Sequence, residues 1–369
     1  MAKFSLISVS PSAEMAGTEL SVFNSAIYFK DRGVENQIWT LSTSDKFDEI
    51  CRLEGVVLKK FPLQFSKPIS SSLNLLRIVS QTYAYRKRFV FHFYLPKTYL
   101  LALLLRQSTR LKYIIGIRGK INYRGFVVEK MLKCAILNAE TVICNARHLA
   151  PEIRLRFNLE VDKIECVSNM VRMRNQTQEE KFEEITAVVV SNFLEYKGHF
   201  LLLDALASLK IVPRVIFLGE GPLESAIRSK IVNLGLEDRI RIYSLVDITD
   251  VLSSSHFAIH PSATEGLSNA ILEEISFGLP VIAFNVGGNS EIIYNDFNGL
   301  LLDSRTKEAL ASAIHILSQK DEIRSYLAKN AFESSKRYSP ENYFREISRI
   351  YERVFESLND SNSDSKKKV

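Results

Sequence analysis

Short apolar runs recur along the whole chain, several of them ending in Gly, Ser, Asn or Pro and leading into stretches with helical spacing. Runs of this kind are what parallel strands covered on both faces produce. Their alternation with helices restricts the chain to a doubly wound α/β architecture. In the first half, strands are expected at 4–10, 38–41, 56–61, 89–94, 113–117 and 141–145, with helices at 19–32, 71–85, 98–108, 126–138 and 148–156. The second half repeats the rhythm. Strands at 187–190, 214–218, 240–243, 257–260 and 281–284 precede helices at 199–209, 222–234, 247–253, 268–277 and near 290.

A chain of 369 residues is long for one α/β domain and suits two. The polar stretch 172–185 has no β run, so domains are expected over 1–175 and 183–337. A helix over 338–357 starts at Ser339-Pro340 and sets Tyr343, Ile347, Ile350, Tyr351 and Phe355 on one stripe. The Ser-, Asp- and Lys-rich tail, 358–369, is expected to be disordered.

Hydrophobic residues make up 46% and charged residues 24%, a composition of globular proteins rather than disordered or fibrous ones. His92, Lys97 and Arg106 interrupt the longest apolar patches, so no spanning helix is expected. No signal peptide is evident, and the expected location is cytoplasmic. Cys51, Cys134, Cys144 and Cys166 lack metal-ligand spacing and are expected to be buried thiols; no metal site is expected. Charge is uneven. Residues 1–180 hold 27 Lys and Arg against 16 Asp and Glu, whereas 181–369 hold 21 against 26. The basic half, densest at Arg86, Lys87 and Arg88, suits a membrane surface, a lipid-linked phosphate or a solvated basic face. No aromatic-basic interleaving points to nucleic acid.

Five loops at the carboxyl ends of expected strands carry the chemistry. In 260–274, His-Pro-Ser-Ala-Thr-Glu-Gly-Leu-Ser-Asn-Ala-Ile-Leu-Glu-Glu, a strand feeds a loop and then a helix capped by Ser268 or Asn269. Unpaired amides at a helix start favour an anion such as a diphosphate, and Gly266 permits close approach. Glu265 in the loop and Glu273 on the helix are suited to pairs of vicinal hydroxyls. Glu274 is expected to face solvent. Gly219-Glu220-Gly221-Pro222 and Gly287-Gly288 offer two further close backbone approaches at the same sheet edge, where open α/β sheets bind ligands. Lys197, beside Gly198, reaches a phosphate as a flexible point charge. In the first half, Ala16-Gly17-Thr18-Glu19 occupies the first strand-to-helix loop. Each loop taken alone also reads as an ordinary turn.

Together, HPSATEGLSNAILEEISFGLPVIAFNVGGNSEII, FLGEGPLESAIR and YKGHFLLLDAL resemble the retaining glycosyltransferases of family 4. The first of these is similar to that family's Glu-x7-Glu signature. The resemblance implies a GT-B fold: α/β, with two Rossmann-like parallel-sheet domains facing a cleft, an N-terminal acceptor side and a C-terminal donor side. It implies a nucleoside-diphosphate sugar donor, a UDP- or GDP-sugar, and no required cofactor. Glu265 would approach the transferred sugar and Glu273 the ribose. The amides of Gly266 and Leu267 would meet the sugar and diphosphate, Lys197 would neutralise the diphosphate, and Gly17 would lie over the phosphates. Gly219 and Gly221 belong to the same donor loop set. The helix over 338–357 would cross back to the first domain.

Two positions depart from the family pattern. Asn192 stands where the family usually has Arg, and it offers only neutral hydrogen bonds. Arg118-Gly119 stands where many members have His-Gly; Arg118 supplies the missing charge or binds an acidic acceptor, and stays protonated. The implied reaction moves a sugar to a hydroxyl of a glycan or a polyprenyl-diphosphate-linked saccharide. It suits cell-surface polysaccharide synthesis at the inner face of the plasma membrane, with peripheral contact to anionic lipid and no role for nucleic acid. The alternatives are a sugar-nucleotide epimerase or hydrolase of the same fold, or a catalytically weak sugar-nucleotide-binding scaffold partner.

Overall fold

The computed structural model of the chain describes residues 4–13, 17–64, 66, 68–119, 121, 125–171, 181–244 and 248–363, the last helix with side chains to Leu358. Two compact units emerge, one formed by 1–169 together with 341–369, the other by 170–340. The expected boundary at 172–185 falls largely outside the described residues.

The first unit holds seven parallel strands: β1 (Leu6–Ser10), β2 (Asn36–Thr40), β3 (Val57–Lys60), β4 (Val90–Tyr94), β5 (Tyr113–Ile117), β6 (Thr141–Cys144) and β7 (Ile164–Cys166). Their order is β3-β2-β1-β4-β5-β6-β7. The residues of β1, β4, β5 and β6 are all buried, which is why these strands read as unbroken apolar runs. From β1 the following strands are added outward on one side as β2 and β3 and then on the other as β4 to β7, so the gap between β1 and β4 is the unit's topological switch point. Right-handed crossovers place the helices that connect β3 to β4, β4 to β5 and β5 to β6 on one side of the sheet. These helices, Pro68–Tyr85, Pro96–Thr109 and Phe126–Leu137, pack side by side.

The last helix, Pro340–Ser363, belongs to this first unit from Glu341 on and runs past the expected end at 357. Tyr351 packs edge-on against Phe4 at 5.2 Å and its hydroxyl is 2.8 Å from His92 Nδ1. Tyr343 and Phe344 meet Phe29, and Arg353 pairs with Glu165 at 2.8 Å.

The second unit holds six parallel strands: β8 (Thr186–Val190), β9 (Arg214–Leu218), β10 (Ile240–Tyr243), β11 (Phe257–His260), β12 (Val281–Phe284) and β13 (Gly299–Leu302). The order β10-β9-β8-β11-β12-β13 repeats the plan of the first unit, with its switch point between β8 and β11. One apolar core runs from Ala187, Val189 and Phe193 through Phe217 and Phe257 to Leu310 and Leu317.

Several elements escape the sequence expectations. Helix Asp45–Leu53 is capped by Ser44, whose Oγ accepts the Phe47 amide, and carries acids in its first turn and Arg52 in its last. Strands β7 and β13 and helices Lys307–Gln319 and Asp321–Ser335 were likewise not anticipated. The cysteines need a correction. Cys51 and Cys144 are buried, but Cys134 and Cys166 are exposed, because Cys134 lies on the outer side of its helix and Cys166 on the edge strand. Among the described residues no helix is long and apolar enough to cross a membrane, and no group of three or more His, Cys, Asp or Glu is placed to hold a metal ion.

Candidate functional site

In the second unit the loops after β8, β9, β11 and β12 converge at the carboxyl edge of the sheet. Backbone hydrogen bonds tie them together. The Phe193 amide donates to Glu220 O at 2.9 Å, the Ala263 amide to Tyr196 O at 2.7 Å, and the Gly288 amide to Gly266 O at 2.9 Å. Glycine makes this interlock sterically permissible. A Cβ on Gly198, at φ +77°, would stand 2.0 Å from Pro261 O, and one on Gly287, at φ +57°, would stand 1.9 Å from Glu265 O. Gly219 and Gly221 likewise press against the backbone of Ser191 and Phe193. The four loops form one packed surface that fixes where Lys197 and Glu265 stand.

Lys197 ends the short 3-10 turn Glu195–Lys197, and Gly198 follows in the left-handed conformation. The lysine Nζ lies 2.6 Å from Glu265 Oε1, with 16% of the lysine side chain and 9% of the glutamate side chain exposed. The pair is therefore shielded from water but reachable. Ser268 caps the helix Asn269–Ser276, its Oγ accepting from the Ile271 amide at 3.4 Å. Gly266 and Leu267 lead into that helix start, where amide hydrogens lack intrahelical partners. Glu273 is half-buried on the helix, and Asn192 is exposed in the loop after β8.

Glu274 corrects the sequence reading. It is fully buried, and His260 Nε2 lies 2.9 Å from its carboxylate. Burial pushes its carboxyl pKa up, opposed by His260. Glu274 thus bolts its helix to β11 from inside, while Glu273 stands beside it at the surface. His199, also buried, is 3.1 Å from Ser191 Oγ; burial, then the Lys197 charge, pushes its pKa down to about 4. The imidazole therefore stays neutral at pH 7 and adds no charge of its own beside Lys197.

The first unit holds the two remaining predicted residues. Gly17 opens the helix Gly17–Asp31 after β1 and is exposed; residues 14–16 of its loop lie outside the described residues. Arg118 follows β5. Its Nη1 lies 2.5 Å from Ser21 Oγ and 2.9 Å from Asn169 Oδ1, and its guanidinium stands 5.1 Å from the centre of the Tyr94 ring. Arg118 is thus engaged by partners of its own unit. Burial, then the Arg118 charge, holds the neighbouring His92 well below the usual histidine range. Sequence reasoning placed Glu19 in this loop but gave its side chain no role; it is buried at the first helix turn and accepts from Ser10 Oγ at 3.3 Å and from Ser12 Oγ. Its signal was an acid two residues after the loop glycine, with serines at the end of the preceding strand.

Comparisons with known proteins fit this arrangement. Residues 172–334 match the family model described as Glycosyl transferases group 1. An uncharacterized glycosyltransferase of Methanocaldococcus jannaschii is 26% identical over 256 residues, 68% of this chain and 71% of that protein. The N-acetylgalactosamine-N,N'-diacetylbacillosaminyl-diphospho-undecaprenol 4-alpha-N-acetylgalactosaminyltransferase of Campylobacter jejuni is 22% identical over 212 residues, 56% of this chain and 58% of that protein. The crystal structure of Anabaena HepE in complex with UDP superimposes with a TM-score of 0.81 at 17% identity, covering 94% of this chain and 99% of that one. Over residues 172–334 the chain is therefore similar to glycosyl transferases group 1, and its two parallel-sheet units have the GT-B fold.

Proposed function

We propose that the chain is a retaining glycosyltransferase that moves a sugar from a UDP- or GDP-sugar to a hydroxyl of a glycan or of a polyprenyl-diphosphate-linked saccharide. The observation that carries this reading is the Lys197–Glu265 pair, 2.6 Å apart, at the switch point of the second sheet beside a capped helix start. A carboxylate next to an anionic diphosphate would repel it, and a lysine shared between the two offsets that repulsion. Lys197 then neutralises the diphosphate as it leaves, and the Gly266 and Leu267 amides add electrostatic stabilisation of the same charge. Glu265 faces the transferred sugar, Glu273 the ribose hydroxyls, and Gly219 and Gly221 let the backbone come close to the donor. Asn192 adds neutral hydrogen bonds only. Gly17 and Arg118 of the first unit are assigned by the resemblance alone.

In the reaction, the bond from the anomeric carbon to the donor phosphate oxygen breaks while a bond to the acceptor oxygen forms on the same face. The departing phosphate oxygen takes the acceptor's proton. No cofactor beyond the donor enters the scheme. UDP bound to HepE favours a uridine donor, and the undecaprenol-linked acceptor named for the Campylobacter relative favours a lipid-linked one. Such an acceptor sets the enzyme at the cytoplasmic face of the plasma membrane, in cell-surface polysaccharide synthesis.

The test is thermal unfolding against intact UDP-, GDP-, ADP- and CMP-sugars, for the native chain and for Glu273→Ala. A selective upward shift with one donor class, lost in the variant, supports the reading. Absence of a shift with every donor refutes it. With the donor in hand, the anomeric configuration of the product, read by NMR, decides between retention and inversion.

A further inference from the structure

The helix Pro68–Tyr85 is amphipathic in the inverted sense. Its buried residues are Asn74, Ile78 and Thr82, two of the three polar. The opposite stripe carries Ile69, Leu73, Leu76 and Tyr83, which are 79%, 56%, 66% and 60% exposed. An apolar stripe normally turns toward the core, and an unpartnered one of this extent marks an interaction surface. Helix Phe126–Leu137, in the same layer, adds Phe126, Val127 and Met131 at 74%, 67% and 42% exposed, and Leu104 of the intervening helix adds a further exposed residue.

The charge of this layer is predominantly basic: its three helices carry Arg77, Lys97, Arg106, Lys130 and Lys133 against one acid, Glu129, which pairs with Arg156 at 3.1 Å. Residues 55–128 contain 14 Lys and Arg and neither Asp nor Glu. Arg77, Lys97, Lys130 and Lys133 are exposed on the three helices, and no carboxylate among the described residues pairs with them. Apolar side chains flanked by unpaired cations are what an interface with anionic lipid requires. The aliphatic stripe enters the boundary between headgroups and acyl chains, and the cations meet lipid phosphates. A soluble protein partner gives no reason for the absence of acids along 74 consecutive residues, and nucleic acid gives none for the aliphatic stripe.

We propose that this helical face of the first unit docks on an anionic bilayer surface. The inference deepens the membrane-face part of the reading above and is independent of the transfer chemistry.

The experiment is co-sedimentation of the full chain with vesicles of phosphatidylcholine alone and of phosphatidylcholine mixed with phosphatidylglycerol. Binding is expected only to the mixed vesicles. The surface variant Leu73→Asp with Leu76→Asp should weaken it by roughly tenfold or more, and Arg77→Glu with Lys133→Glu should weaken it and reduce its dependence on salt. Both pairs are exposed, so thermal unfolding should be unchanged, and the donor-induced shift should persist in every variant. Equal binding to both vesicle types, no binding, or unaltered binding by both variants overturns the docking face. So does self-association of the native chain that the Asp variant abolishes while vesicles stay unbound. Any of these results with an intact donor shift sinks the docking face alone; loss of the donor shift in the native chain sinks the functional reading alone.

Discussion

Gly287→Ala tests whether the interlocked loops position the site. At φ +57° an alanine pays about 1–2 kcal/mol for its left-handed backbone. Its Cβ would also stand 1.9 Å from Glu265 O, where ordinary contact begins at 3.4 Å. Relief requires the Glu265 loop to retreat by about 1.5 Å, and overpacking of this kind costs about 1–3 kcal/mol. The sum, roughly 2–5 kcal/mol, converts at about 2–4 °C per kcal/mol for a unit of this size, a melting-temperature drop of roughly 4–20 °C. Gly235→Ala is the control. Its φ is +65°, but its Cβ meets nothing within 4 Å, so it bears only the backbone cost.

The functional consequence should separate the two variants further. Glu265 is held 2.6 Å from Lys197, and misplacement of a reacting group by about 1 Å costs on the order of 10²-fold in rate. Gly287→Ala should therefore abolish the donor-induced thermal shift and most turnover, and Gly235→Ala should leave both intact. Equal melting temperatures and equal donor responses in the two variants would refute the argument, since they would mean that the loop after β12 does not press on Glu265.

Four other perturbations follow from the same geometry. Lys197→Met keeps the side-chain length but removes the charge, and should weaken donor binding by roughly 10–100-fold in isothermal titration, the worth of one charge-assisted hydrogen bond. Glu274→Ala empties a fully buried position and strips His260 of its partner; it should cost about 3 kcal/mol in denaturant unfolding, whereas Glu274→Gln, which keeps shape and an acceptor, should cost less than half of that. The pKa of His199 falls to about 4 in the folded chain from 6.5, so the unfolded chain binds more protons between those values and stability rises with pH across that window. Acidification from pH 6.5 to 4 should remove up to about 3 kcal/mol through this site, and a neutral His199→Asn variant should show a correspondingly flatter stability curve. In thiol alkylation of the native chain, exposed Cys134 should be modified first and Cys51 last, since burial and then Asp48 push the Cys51 thiol up to about 12.

Legibility in the sequence follows how local each cause is. Strands β5, β9, β11 and β12 begin and end where their apolar runs do, because burial on both faces leaves no polar alternation to blur the limits. The loop positions of Lys197, Glu265, Gly219 and Gly287 were legible for the same reason: each lies just past such a run. Glu274 was not. Whether Glu273 or its neighbour turns inward depends on His260, 14 positions earlier on an adjacent strand, and only the packed sheet brings that imidazole to 2.9 Å. Helix Asp45–Leu53 was marked by its Ser44 cap and its charged ends, yet with only Phe47 and Cys51 buried it offers too little apolar periodicity to announce itself.

The helix Pro68–Tyr85 is a different kind of failure. Its apolar stripe was legible as a helix signal, and the rule that such a stripe faces the core would have turned Ile69, Leu73 and Leu76 inward. The sheet decides otherwise. This helix carries the chain from β3 over two strands to β4, and the surface beneath it is already filled by Trp39, Phe61, Phe89 and Phe91, on which the helix's own last residue, Tyr85, packs. That aromatic cluster satisfies the core, leaving Asn74 to reach the Pro62 carbonyl at 2.9 Å and Ile78 to supply the buried apolar contact. The aliphatic stripe has no interior left to enter. Sequence periodicity thus locates an apolar surface without saying whether it turns to the core or to solvent.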